Sequence, residues 1–185
     1  MHAIYKFVSG PMVWVAFGIF ILGSLYRIIS MLTLVRQKEG FIFSYMSLKY
    51  SLRSMLHWSI PFGTTNMRLH PLMTVVTFIF HFCLLITPIF LLAHVLLIEE
   101  SWGLSWWTIP EWLTDLMTLC VLAGCLYFLY RRLFLAEVKF VTTASDFWLL
   151  IIVAAPFVTG FLAYHQWFAY QATMILHVVC GEVML

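Results

Sequence analysis

Seven histidines punctuate a chain of 185 residues that is otherwise almost wholly apolar, and His81, His94 and His177 fall inside its most apolar segments. An imidazole at bilayer depth has no water to bond with, so its burial costs free energy that a private partner must offset. Neutral imidazole is also the commonest side chain for holding a metal, haem iron included. Thirteen residues separate His81 from His94, which on one helix is roughly 20 Å. Two such histidines, answered by a third on a later segment, suggest haem groups stacked across a membrane. The plainer reading of each is a buried imidazole bonded to a backbone carbonyl or a neighbouring hydroxyl.

The rest of the chain says what must position these residues. Hydrophobic residues make up 63% and charged residues 10%, against roughly 45–50% and about 25% in ordinary soluble domains. A mean hydropathy of +0.98 makes the whole chain a single membrane domain and argues against a nucleic-acid partner. The N-terminal run MHAIYKFVSGPMVWVAFGIF has an early lysine but no small-residue cleavage site after it, so it reads as a retained first helix. The cysteines, Cys83, Cys120, Cys125 and Cys180, all lie in apolar stretches. With no CxxCH or CxxC among them, they read as small packing residues.

A spanning helix needs about 20 mostly apolar residues. Five segments meet or approach that, at 8–35, 71–98, 112–130, 147–164 and 168–185. The expectation is therefore an all-α integral membrane protein, a bundle of five transmembrane helices. The fifth segment is still apolar at Leu185, which suggests that the C-terminus is incomplete. Between the first two segments, residues 44–58 place Tyr45, Leu48, Leu52, Met55 and Leu56 on one face, with Lys49 and Arg53 elsewhere. That pattern predicts an amphipathic helix lying at the membrane surface, with His57 and Trp58 as interfacial anchors.

Basic residues occupy the first connection (Arg36, Lys38, Lys49, Arg53, Arg68) and the third (Arg131, Arg132, Lys139). The second connection carries Glu99, Glu100 and Glu111 without Lys or Arg, and a cluster of tryptophans at 102, 106, 107 and 112. The positive-inside rule then puts the first and third connections, with the interfacial helix, on the cytoplasmic side and the N-terminus outside.

Depth and phase sort the histidines. His70 precedes Pro71 at the start of the second segment, His81 lies near mid-membrane and His94 near the outer side. At about 100° per residue His94 falls some 220° from His81, although Pro88 between them shifts the phase. His177 lies roughly 13 Å along the fifth segment, a depth closer to that of His94 than of His81. His70 and His165 are alternative ligands. Glu182, an acid within the fifth segment, and His165, at the outer turn, are candidates for quinone binding or proton transfer. Arg68, Arg131 and Arg132 are placed to neutralise haem propionates, or serve only as ordinary positive-inside residues.

Three segments carry a family resemblance: FHFCLLITP (Phe80–Pro88), RRLF (Arg131–Phe134) followed by TTASD (Thr142–Asp146), and LHVVCGEVML (Leu176–Leu185). In order and spacing they resemble the gamma subunit of respiratory nitrate reductase. They resemble even more the related cytochrome b subunits of transmembrane redox complexes in sulfate-reducing bacteria. The resemblance implies five helices and two b haems, with ligands from the second and fifth helices. His177 and His81 match two of those ligands. His94 matches the sulfate-reducer pattern, and His70 is one residue off the nitrate reductase pattern. The fourth ligand falls beyond Leu185, so the implied pairing is His94 with His177, leaving His81 for the second haem.

The function so implied is a haem b membrane subunit of a respiratory complex in a bacterial or archaeal cytoplasmic membrane, carrying electrons between the quinone pool, menaquinone or another quinone, and redox partner subunits. The partners so implied are a cytoplasmic iron–sulfur subunit, other membrane subunits and lipid, with a periplasmic multihaem cytochrome c as a further option. Two other classes fit the same residues: a haem-free membrane anchor or assembly subunit, and a proton-coupled transporter using His81, His177 and Glu182. Without an inverted repeat the transporter is the weakest.

Overall fold

A computed structural model describes residues 2–185. Among the described residues 84% are helical and there are no strands, so the all-α expectation holds. The chain divides into two compact units, His2–Thr74 and Val75–Met184.

The first unit opens with α1 (His2–Phe7), a π-helical turn (Val8–Met12) and α2 (Val13–Lys38). Pro11 sits inside the π turn, where its missing N–H leaves the hydrogen-bond ladder free to widen. The segment beyond Lys38 is too polar to continue. Short α3 (Ile42–Tyr45) is followed by α4 (Leu48–Ser59), which lines up Leu48, Leu52, Met55 and Leu56 on one exposed face. Met46, in extended backbone between them, splits the single helix expected at 44–58. In α5 (Thr65–Leu69) the Thr64 hydroxyl caps the Met67 amide at 3.3 Å. Arg68 donates to the carbonyls of Phe62 and Gly63 at 3.1 and 3.2 Å. Phe62 has a positive φ of 60°, and Arg68 satisfies the carbonyls that this turn exposes.

The second unit is built on α6 (Pro71–Phe90), α7 (Leu92–Trp102), α8 (Glu111–Phe134), α9 (Ala136–Val141), α10 (Ala144–Tyr164) and α11 (Tyr170–Met184). Its core joins Phe80 and Cys83 of α6, Ile109, Met117, Val121 and Cys125 of α8 and its approach, and Phe157 of α10. Gly124 lets α6 in close, since a Cβ there would lie 2.7 Å from the Phe80 ring; small residues at helix contacts serve this purpose in membranes. All four cysteines are free thiols, Cys83 and Cys125 buried.

Among the described residues four helical stretches are long and apolar enough to cross a membrane: Ala3–Lys38, Pro71–Phe90, Glu111–Phe134 and Ala144–Tyr164. The first, third and fourth expected spans are found with longer ends. The second is corrected. A continuous helix over 71–98 was expected, but the chain breaks at Leu91, whose backbone is extended. At 15 residues, α11 runs only about 22 Å, short of the roughly 30 Å hydrocarbon core.

Helices α8 and α10 are tied at both ends. At one end His165 Nε2 lies 3.3 Å from the Asp115 carboxylate, and Tyr164 bonds Glu111. At the other, Arg132 meets Asp146 at 3.3 Å. Asp146 also starts α10, accepting from the Thr143 amide at 2.8 Å and its hydroxyl at 2.9 Å, a reciprocal cap of the kind that fixes helix N-termini. Asp146→Ala removes cap and ion pair together and should lower stability. Thermal unfolding in detergent checks this, with Asp146→Asn expected to lose less.

Candidate functional site

The break at Leu91 creates the site's first half. In an unbroken helix the carbonyls of Pro88, Ile89 and Phe90 would accept from the amides of Leu92, Ala93 and His94. The Leu91 amide closes the last turn on Thr87 at 3.0 Å, and the His94 amide turns instead to Leu91 at 3.0 Å. The orphaned carbonyls find other donors: His94 Nδ1 reaches Pro88 at 2.8 Å, the Trp106 indole N–H reaches Ile89 at 2.9 Å, and the Ile109 amide reaches Phe90 at 3.0 Å. Helix ends buried in apolar surroundings need such partners.

The second half comes from the α10–α11 hairpin. His177 Nδ1 lies 3.0 Å from the Pro156 carbonyl and 3.4 Å from the Thr159 hydroxyl. That hydroxyl donates to Ala155 at 2.7 Å, so its oxygen is free to accept. Gly160 forms the floor, because a Cβ there would stand 2.8 Å from His177 Cε1 and 3.1 Å from Nδ1.

These two halves bring His94 and His177 together with ring centres 6.0 Å apart and planes within 19° of parallel. A carbonyl only accepts, so each Nδ1 carries the proton and each Nε2 keeps a lone pair. The plain packing reading of these histidines also expected a carbonyl bond. That bond is present, and Nε2 of each ring makes no hydrogen bond among the described residues. Two imidazoles holding one metal from opposite sides, each through a bond of about 2 Å, have ring centres about 6 Å apart, and the ring-centre spacing here matches that figure. No group of three or more His, Cys, Asp or Glu suited to a metal ion occurs among the described residues; haem asks the protein only for its axial ligands.

His81, on α6 before the break, donates Nδ1–H to Thr77 at 2.7 Å. It is exposed beside Phe82 and Leu85, with its ring edge-on to Phe80 at 5.2 Å. His70 is exposed as the C-cap of α5 and holds that turn through its backbone. His165 belongs to the Asp115 contact, surrounded by the rings of Phe161, Tyr164 and Trp167 at 4.4, 5.3 and 5.7 Å. Both Glu182 carboxylate oxygens are shielded from solvent and make no hydrogen bond among the described residues. Arg132 is engaged by Asp146, and Arg131 lies over the Tyr127 ring at 6.0 Å.

Sequence reading passed over Pro156, Thr159, Gly160 and Asp115, and took Trp106 only as part of the tryptophan cluster. A faint signal existed for three of them. Pro156 and Gly160 stand four apart on one helical face, a close-approach pattern, with Thr159 beside them.

Helix lengths and apolarity define the class: a helical membrane protein with four apolar helices. The chain is 35% identical over 188 residues to a protein of Nitratidesulfovibrio vulgaris, a match that covers 98% of this chain and 82% of the relative. It belongs to that protein's family. No protein-family model matches the chain, and no solved structure matches it.

Gly160→Ala should be destabilising although alanine is the better helix former by about 1 kcal/mol, because the added methyl must displace the His177 ring. Gly181→Ala, where a Cβ would meet nothing within 4 Å, should be neutral or stabilising. Unfolding midpoints of the two variants in one detergent make the comparison.

Proposed function

We propose that this protein is the haem b membrane subunit of a respiratory complex, carrying electrons between the quinone pool and redox partner subunits. The observation that carries the proposal is the near-parallel pair His94 and His177, each with Nδ1–H anchored on a backbone carbonyl. A haem bound between them supplies a one-electron carrier inside the apolar part of the chain. His94 and His177 would hold the iron, the Pro88 and Pro156 carbonyls fix the tautomers, and Gly160 keeps the space open. The relative from Nitratidesulfovibrio vulgaris, a sulfate reducer, supports the sulfate-reducer branch of the resemblance. In that branch His94, not His70, is the second-helix ligand.

His81 is the axial ligand proposed for a second haem; its Nδ1–H bond to Thr77 leaves Nε2 free in the same way. Quinone chemistry requires groups that take up protons. Glu182 and the Asp115–His165 contact are the residues suited to that work.

The proposal includes the finer topology: five spans with α11 the last, α4 on the cytoplasmic membrane surface, and the N-terminus outside the bacterial or archaeal cytoplasmic membrane. Its support is the charge pattern. Arg131 and Arg132 lie at one end of α8, Glu111 and Asp115 at the other, as the positive-inside rule requires. The α4 face, with Lys49 and Arg53 beside it and no acid between Glu39 and Glu99, suits anionic lipid headgroups. The same connection offers a docking surface to a cytoplasmic iron–sulfur subunit, and the acidic end faces a periplasmic multihaem cytochrome c.

Purified protein should show a b-type alpha band in the reduced-minus-oxidised spectrum. His177→Ala and His94→Ala should each remove the same haem, and Gly160→Ala should lower its occupancy. A parent spectrum without that band overturns the proposal, and full haem content in His177→Ala overturns the ligand assignment.

A further inference from the structure

The segment Gly103–Pro110 is fastened to the helix break at every turn of its path. Gly103 ends α7 in the left-handed region at φ 68°, its amide on the Glu99 carbonyl at 2.8 Å. Ser105 donates to the Glu99 carboxylate at 3.0 Å. Trp106 then spends its only polar group on Ile89, Trp107 stacks on Phe90 with ring centres 4.3 Å apart, and the Ile109 amide binds Phe90. The carbonyls of Ile89 and Phe90 directly follow that of Pro88, which holds the His94 ring. Three consecutive carbonyls are thus shared between a surface segment and one imidazole.

The consequence is mechanical. Were Trp106 and Ile109 to let go, the Ile89 and Phe90 carbonyls would be left without a donor, which favours re-forming the helix ladder through Leu92–His94. Rebuilding the ladder removes Pro88 from His94 and rotates the imidazole away from His177. The broken state and the ring's position therefore stand or fall together.

We propose that the segment Gly103–Pro110 sets the position of the His94 imidazole through this carbonyl row, with Trp106 as the positioning residue. The inference rests on the reading of His94 and His177 as a ligand pair.

Trp106→Phe keeps the ring and removes only the N–H. Two readouts are taken on the purified full chain: amide hydrogen exchange over Leu91–Pro110, and the low-spin ferric signal in electron paramagnetic resonance. Losing one hydrogen bond should speed exchange across the break about fivefold and shift the ferric g-values while haem content stays near that of the parent. Trp106→His, which retains a ring N–H, should bring both readouts back toward the parent. Ser105→Ala loosens the same segment away from the break and should move both readouts the same way by less; it decides the question if Trp106→Phe does not fold. Unchanged g-values overturn the proposal, whether or not exchange rises. A parent without b-type absorbance overturns the haem reading instead. Exchange over Leu91–Ile98 then judges the coupling alone, and parent-like exchange in the variants overturns it.

Discussion

Everything distinctive about this protein follows from one requirement: inside an apolar environment no backbone carbonyl can be left without a donor. An ordinary spanning helix meets it by repetition. Here α6 stops at Phe90, and three carbonyls lose their helical donors. An imidazole, an indole and a loop amide close them. The solution has a chemical by-product. A histidine that donates through Nδ1 is fixed as one tautomer, and its other nitrogen is a free Lewis base. The same bond recurs at His177 on Pro156 and at His81 on Thr77, so His81, His94 and His177 are each fixed in the same sense by a backbone carbonyl.

The frame that holds the pair is simple by comparison. Helices α8 and α10 are pinned at opposite ends by Asp115–His165 and Arg132–Asp146. These contacts are partly exposed, where an ion pair contributes little energy, and their value is register. With both ends of α10 fixed, Pro156, Thr159 and Gly160 are held at one depth, and α11, folded back through a tight turn at Gln166 with φ 53°, must bring His177 to meet them. The buried core of Phe80, Val121, Cys125 and Phe157 supplies the cohesion that the ion pairs do not.

Much of this was legible in the residues themselves. Helical class and three of the spans follow from apolar length alone, and His94 and His177 follow from depth and motif. The break at Leu91 was not legible. Proline at position 88 announces a disturbance, but it sits inside the last turn of α6, and the actual stop three residues on depends on donors at Trp106 and Ile109 that no local pattern reveals. Gly160 and Thr159 were hidden for the same reason: an apolar helix containing them looks like any other until its neighbour is known. The split between α3 and α4 is two extended residues, Met46 and Ser47, within a pattern that is amphipathic on both sides.

The break also resolves a conflict in the sequence. On one straight helix, thirteen residues set His94 some 220° from His81, so the two histidines could not face the same neighbour. The structure does not bring them to one neighbour. His81 keeps the phase of α6 and stays on its exposed side with Phe82 and Leu85, while α7 starts anew and presents His94 to α11. A kink would have bent the axis and kept most of the original phase. Only a full interruption, with its carbonyls capped from elsewhere, lets two histidines of one apolar segment serve different surroundings. The cost of breaking a helix in an apolar medium is thus the condition for placing His94 beside His177.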